Sequence, residues 1–226
     1  MRLLPVLTLA TAVALAACAP RGGAAGASPA PRSDAERVRA DSIRLPYTDA
    51  DVRFMTEMIG HHAQAIRISR WVPSHTGDAE LATLASRIIN AQTDDITLMR
   101  TWLRERGKPV PSVSADGVLT PPPADPDDEH AGHDMGHDHA MMAGMLTDEQ
   151  LRELDAARGE AFDVLFLQRM INHHRGAVTM VQTLIRDGGA IDETVFRFAA
   201  DVEVDQSTEI RRMLSMLLER GGLPPE

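Results

Sequence analysis

One cysteine, Cys18, is the whole thiol inventory of this 226-residue chain, which excludes a disulfide framework and a multi-thiolate metal site. Basic side chains are also short: 23 Lys and Arg stand against 33 Asp and Glu. The formal net charge of -10 and a pI of about 5.3 speak against nucleic acid, whose phosphates need a basic surface, and suit a cationic ligand. After the first seventeen positions no stretch approaches the ~18 apolar residues that a membrane-spanning helix needs. Strand-like alternation is absent throughout, and no nucleophile and base stand in a recognisable catalytic arrangement. With thiols so scarce, any metal falls to His, Met, carboxylate or amide groups.

What is present begins with Arg2, an apolar run from Leu3 to Ala16, and small residues before the cysteine, the pattern of a secretory signal over residues 1–17. Leu15, Ala16, Ala17 and Cys18 resemble the lipobox of bacterial lipoproteins, which implies cleavage and a lipid on Cys18. The expected location is the bacterial cell envelope, with the chain lipid-anchored to the outer membrane and facing the periplasm. Residues 18–47 read as a tether rich in Ala, Gly and Pro, followed by a short helix that opens at Ser33-Asp34-Ala35-Glu36 and ends before Pro46.

Residues 48–107 read as a first helical hairpin, with Thr48 and Asp51 as a capping box, a break before Pro73, a restart at Gly77-Asp78, and a stop at Gly107-Lys108-Pro109. Residues 108–146 contain prolines, acids and a His/Met cluster without apolar period, and are expected to be a long disordered linker. A second hairpin covers 147–222: a capping box at Thr147-Asp148-Glu149-Gln150, helix to about Asp187 with a bend near Gly159, then helix from about Asp192 to Arg220. His75, in the first turn, is expected at the surface, and Trp71 and Trp102 in packing positions near helix ends.

The halves repeat. Asp51, Phe54, Met58, Ile59, His61, His62 and Ala65 share their spacing with Asp163, Phe166, Met170, Ile171, His173, His174 and Ala177. In the second helices Gln92, Ile96, Met99, Leu103, Arg106 and Gly107 parallel Gln206, Ile210, Met213, Leu217, Arg220 and Gly221. One hairpin cannot bury both of its apolar stripes, so the expected fold is all-α: a four-helix bundle made by packing the two hairpins together. At about 100° per residue, Asp51, Met58, His62 and Ala65 fall near the centre of the apolar stripe, as do Asp163, Met170, His174 and Ala177, while His61 and His173 sit at its edge.

A thioether and an imidazole one turn apart, Met58 with His62 and Met170 with His174, combine a soft and a borderline donor on one helix face, a pairing that favours copper and Cu(I) in particular. Asp51, Asp163, Gln92, Gln206, Met99 and Met213 are placed as supporting groups around these ligands. The linker adds His130, His133, Met135, His137, His139, Met141, Met142 and Met145, a flexible His/Met tract that suits copper and through imidazole alone also accepts zinc or nickel.

The two His-His segments, Phe54 to Ile66 and Phe166 to Val178, each followed by a helix with Gln and Met spaced like Gln92 and Met99, resemble the family called domain of unknown function 305. That resemblance implies a ferritin-like bundle in an envelope protein, with a copper association in some members. It lays the family's His-His motif on His61, His62, His173 and His174, its preceding methionine on Met58 and Met170, and its following one on Met180, where the first repeat has Ile68 instead.

The leading expectation is therefore a non-enzymatic protein that sequesters or delivers Cu(I) or Cu(II), with the metal ion, the membrane and a copper-transport protein as partners. Two readings compete with it. A metal-free structural or interaction bundle would use its histidines as hydrogen-bonded core residues. A ferritin-like metal oxidase would need Glu-x-x-His on two helices, and no Glu stands three residues before any bundle histidine.

Overall fold

The computed structural model describes residues 46–121 and 142–225. The expectations for the leader, Cys18, the tether and its short helix, and for His130, His133, Met135, His137, His139 and Met141, lie outside the described residues. In order, the elements are α1 (Asp49–Ser69), α2 (Val72–His75), α3 (Ala79–Glu105), β1 (Ser112–Val113), β2 (Leu119–Thr120), α4 (Asp148–Ala156), α5 (Gly159–Arg186) and α6 (Glu193–Glu219). The long helices α1, α3, α5 and α6 form a bundle in which α1 lies along α3, α5 along α6, and α1 meets α5 between the hairpins. Among the described residues no helix is long and apolar enough to cross a membrane.

Local chemistry accounts for the helix starts. Thr48 and Asp51 exchange backbone-to-side-chain hydrogen bonds of 2.8 and 3.2 Å, and Thr147 does the same with Gln150. Asp78 caps α3 by accepting from Leu81 N, and Asp192 caps α6 by accepting from Thr194 N and Val195 N.

These caps also lock the hairpins together crosswise. Asp192 accepts from Arg106 at the end of α3 at 2.5 Å, and Asp78 accepts from Arg220 at the end of α6 at the same distance. Asp51 repeats the theme, taking the Ala190 N–H in the turn of the opposite hairpin at 2.6 Å. Its counterpart Asp163 faces Thr76 in the other turn. Equivalent contacts thus run in both directions between the two halves.

The core falls into two apolar clusters. One contains Phe54, Met58, Met99, Trp102, Met180 and Phe198, the other Leu81, Leu84, Phe162, Phe166, Met170 and Met213. Because α1 runs from the first cluster toward the second and α5 runs the opposite way, the His-His segments of both fall between the clusters.

Three expectations need correction. The helix expected from Thr147 to Asp187 is two helices: Ala157 and Arg158 are extended, with ψ of 151° and 154°, and Gly159 has φ of 59°. The break lets Leu151 and Leu154 of α4 turn onto the second cluster. Residues 108–121 are no structureless linker: Ser112–Val113 pairs antiparallel with Leu119–Thr120, and Val110, Val113 and Leu119 pack against the first cluster. Gly117, at φ of 73°, allows this hairpin to approach α1, since a side chain there would strike Ala63 O and Arg67 N. His75 is buried at 7% exposure; its Nε2 donates to the Asp155 carbonyl at 3.0 Å, and its ring packs on Phe162.

Candidate metal centre

Consecutive residues on a helix point about 100° apart, so both members of a His-His pair can be buried only where the helix has neighbours on two sides. Helix α1 has α3 on one side and α5 on the other, and α5 has α6 and α1. Accordingly His61, His62, His173 and His174 are all at most 1% exposed. The edge positions assigned to His61 and His173 are therefore interior, because the edge of each stripe is the seam between hairpins. The ring centroids of His61 and His62 lie 6.4 Å apart and those of His173 and His174 6.2 Å apart, the same arrangement twice. Across the seam, the ring centroids of His61 and His173 are 3.8 Å apart, with the rings tilted by 36°.

The outer members of the layer are anchored by acids. His62 Nε2 donates to Asp95 Oδ2 at 3.1 Å, and His174 Nε2 donates to Glu209 Oε2 at 2.6 Å. A carboxylate can only accept, so in the neutral imidazole the lone pair is left on Nδ1. His61 reaches the same tautomer by another route, donating from Nε2 to the Ala143 carbonyl at 3.2 Å. In each of the three, Nδ1 is buried without a partner, and neither ring nitrogen of His173 makes a well-formed hydrogen bond, its polar neighbour being the His61 main chain. Gln92 and Gln206, 2% and 4% exposed, add an unpartnered Oε1 from α3 and α6.

Electrostatics keep the inner pair neutral. Burial first, then the adjoining His62 and His174, lower the His61 pKa from 6.5 to about 3, against a weaker pull from the Ala143 carbonyl. Burial, followed by His61, His174 and His62, holds His173 well below the usual histidine range, with the His61 main chain opposing. Both imidazoles thus retain a lone pair at neutral pH, which is the form that ligates metal.

Thioethers flank the layer. Met58, Met99 and Met180 share the first apolar cluster, and Met170 and Met213 the second. Met142 and Met145 follow the tract outside the described residues; Met142 packs against the first cluster. Among the described residues no three His, Cys, Asp or Glu donors converge on one point. The arrangement therefore supplies imidazole pairs with sulfur beside them, and not a preformed cage of nitrogen and oxygen. Asp51 and Asp163 do not join the layer: each lies ten residues before its His-His pair, about 15 Å along the helix, and is occupied with the opposite turn.

The anchoring acids escaped the sequence reading, although a signal was there. Asp95 and Glu209 occupy the same place in both repeats, three residues after Gln92 and Gln206. Ala143, which reaches His61 through its backbone, left no such mark.

Comparison with known proteins bears on the family and the fold. The family model described as "Domain of unknown function (DUF305)" matches residues 51–217. The crystal structure of a candidate secreted protein of that family from Streptomyces coelicolor is similar at a TM-score of 0.62 with 31% identity, covering 78% of this chain and 97% of that one. CopM in its Cu(II)-bound form is similar at a TM-score of 0.54 with 26% identity, over 75% of this chain and 96% of CopM, and has also been solved with Cu(I) and with silver. Uncharacterized protein L153 of Acanthamoeba polyphaga mimivirus is 38% identical over 65 residues, 29% of this chain; the match spans 43% of that relative, less than half its length.

Proposed function

The chain belongs to the domain of unknown function 305 family, and from that premise we propose that it binds copper as cargo in the bacterial envelope, holding the ion at the histidine layer. The observation that carries this reading is the set of five imidazole nitrogens, on His61, His62, His173 and His174, buried without a hydrogen-bond partner. Buried polar groups are nearly always satisfied, and each that is not costs about 1–3 kcal/mol, so an unpaired set this large is a site shaped for something that supplies the partners.

The donor chemistry selects the ion. Neutral imidazoles beside the thioethers of Met58, Met170 and Met180 suit Cu(I) better than zinc or magnesium, and a low-coordinate soft ion needs no cage of three hard donors. Asp95 and Glu209 orient His62 and His174 as outer-sphere acids commonly do. The carboxylates here each serve one histidine and bridge nothing, so the layer is a binding site without an assigned catalytic step. CopM, with its copper- and silver-bound forms, supports the choice of metal.

In this reading the His/Met tract of residues 127–145 is a secondary, weaker copper site that also takes zinc or nickel. Cys18 carries the lipid anchor at the outer membrane, and copper passes to or from a transport protein. The metal-free alternative draws on the bonds to Asp95 and Glu209, which satisfy one nitrogen on each of two histidines. A competition titration with Cu(I) on the chain from Ala19 separates the two. Replacing His61, His62, His173 and His174 by Ala removes the tight class of sites and leaves the weak one if copper sits in the bundle. Unchanged tight binding would move the site elsewhere.

A further inference from the structure

The histidine layer is closed to solvent, yet a cleft of about 170 Å³ opens beside it between α1 and α5. Its wall includes Phe54, Glu57, Met142, Ala143 and Met180. Met180 is 8% exposed, and Met142 is half-buried against the same apolar cluster, so two thioethers from different parts of the chain line one opening. The residue after Met142 is Ala143, whose carbonyl holds His61 Nε2 at 3.2 Å. The Met142–Ala143 segment that lines the cleft is therefore in direct contact with one of the buried imidazoles.

That peptide belongs to a strap, residues 142–146, laid across the seam of the bundle. Gly176 makes room for it, since a side chain at 176 would collide with Ala143 O, and Gly144, at φ of 78°, passes close over Asn172 O and His173 O. Gln64 pins the far end, donating to Leu146 O at 3.0 Å and accepting from Leu146 N at 2.8 Å. Among the described residues the strap is held by the Ala143–His61 and Leu146–Gln64 bonds, by one internal turn and by the buried Leu146, and a short segment of this kind can open locally while the bundle stays folded.

We infer that this cleft is the loading port for a soft monovalent metal ion: Met142 and Met180 take the ion at the surface, and the strap moves aside to pass it to His61 and His173. The inference rests on the histidine layer being the ion's destination. Thioethers are soft, uncharged donors that accept Cu(I) or Ag(I) and discriminate against hard divalent cations. The transfer is a ligand exchange without change of oxidation state. Sulfur lone pairs leave the ion as imidazole lone pairs arrive, the first from His61 Nδ1, which is buried without a partner.

Stopped-flow uptake of Ag(I), which is redox-silent, by the full chain tests this, with His61→Leu/His173→Leu identifying the kinetic phase that belongs to the layer. Met142→Leu is expected to slow that phase several-fold while leaving its amplitude intact. Gln64→Ala, or Gly176→Ala where the first variant folds poorly, is expected to accelerate both uptake and release, because each loosens the strap. Rates unchanged in these variants, with the layer still filling, would overturn the port and leave the copper reading standing. Absence of any phase sensitive to the two histidines would overturn both.

Discussion

The imidazoles of His61 and His173 lie 3.8 Å apart, centroid to centroid and inclined by 36°, where the two halves of the chain meet. Neither ring is charged, and the His173 nitrogens are buried without a well-formed hydrogen bond, with the His61 main chain as their polar neighbour. Such a group burdens the metal-free fold. Replacing His173 by Leu is expected to stabilise the metal-free protein by about 1–3 kcal/mol, the penalty of an unsatisfied buried polar group, and to abolish tight copper binding. Urea unfolding measures the first effect. A destabilised His173→Leu protein would mean that the imidazole is a working part of the core.

The His61 pKa, lowered from 6.5 to about 3 by burial and its histidine neighbours, gives stability a definite pH dependence. A histidine depressed in the fold binds a proton more readily when unfolded. Its contribution is therefore complete above pH 6.5 and is lost as pH falls toward 3, on the order of 1 kcal/mol per pH unit. His173 is displaced in the same direction and adds to the loss. Between pH 7 and pH 4 the metal-free wild type should lose more stability than His61→Leu, so the gap between their unfolding curves should change with pH in favour of the variant. Parallel curves would contradict a neutral, buried His61.

The acids behind the outer histidines should matter to the metal more than to the fold. Asp95→Ala and Glu209→Ala release the Nε2 anchors of His62 and His174. The expected result is copper affinity lowered about 10–100-fold for each, with partial recovery in Asp95→Asn and Glu209→Gln. Competition titration reads this out, and unaltered affinity would show that these acids serve packing alone.

The crosswise ion pairs predict the reverse separation. Asp192 and Arg106 are 4% exposed, whereas Arg220 and Asp78 are 14% and 23% exposed. Asp192→Ala, which also strips the partner from Trp102 Nε1, should cost about 3–5 kcal/mol, and Asp78→Ala distinctly less. Copper bound per folded chain should not change in either variant. Equal losses in denaturant unfolding would show that burial does not govern these pairs.

The helical bundle was legible because its signals are local and doubled: capping boxes at Thr48 and Thr147, and a repeated Met-Ile-x-His-His segment. Features that depend on one half meeting the other were not. His75 looks like a turn residue until Asp155 and Phe162 from the second half cover it. Likewise His61 and His173 sit on stripe edges that only hairpin packing turns into interior. Ala157 and Arg158 are extended without a proline to announce it, since the break serves the packing of Leu151 and Leu154. The strap at Ala143 acts through its carbonyl, which has no signature in a side-chain sequence.

Thermal unfolding with and without stoichiometric Cu(I), on wild type and on His61→Leu/His173→Leu, asks whether copper sits in the histidine layer. A flexible tract can bind metal in the unfolded chain as well as the folded one, whereas a site assembled from four helices stabilises only the native state. With copper in the histidine layer, Tm rises on adding copper to wild type and stays unchanged in the double variant. An equal rise in both proteins, or no rise in wild type, would contradict copper binding at the histidine layer.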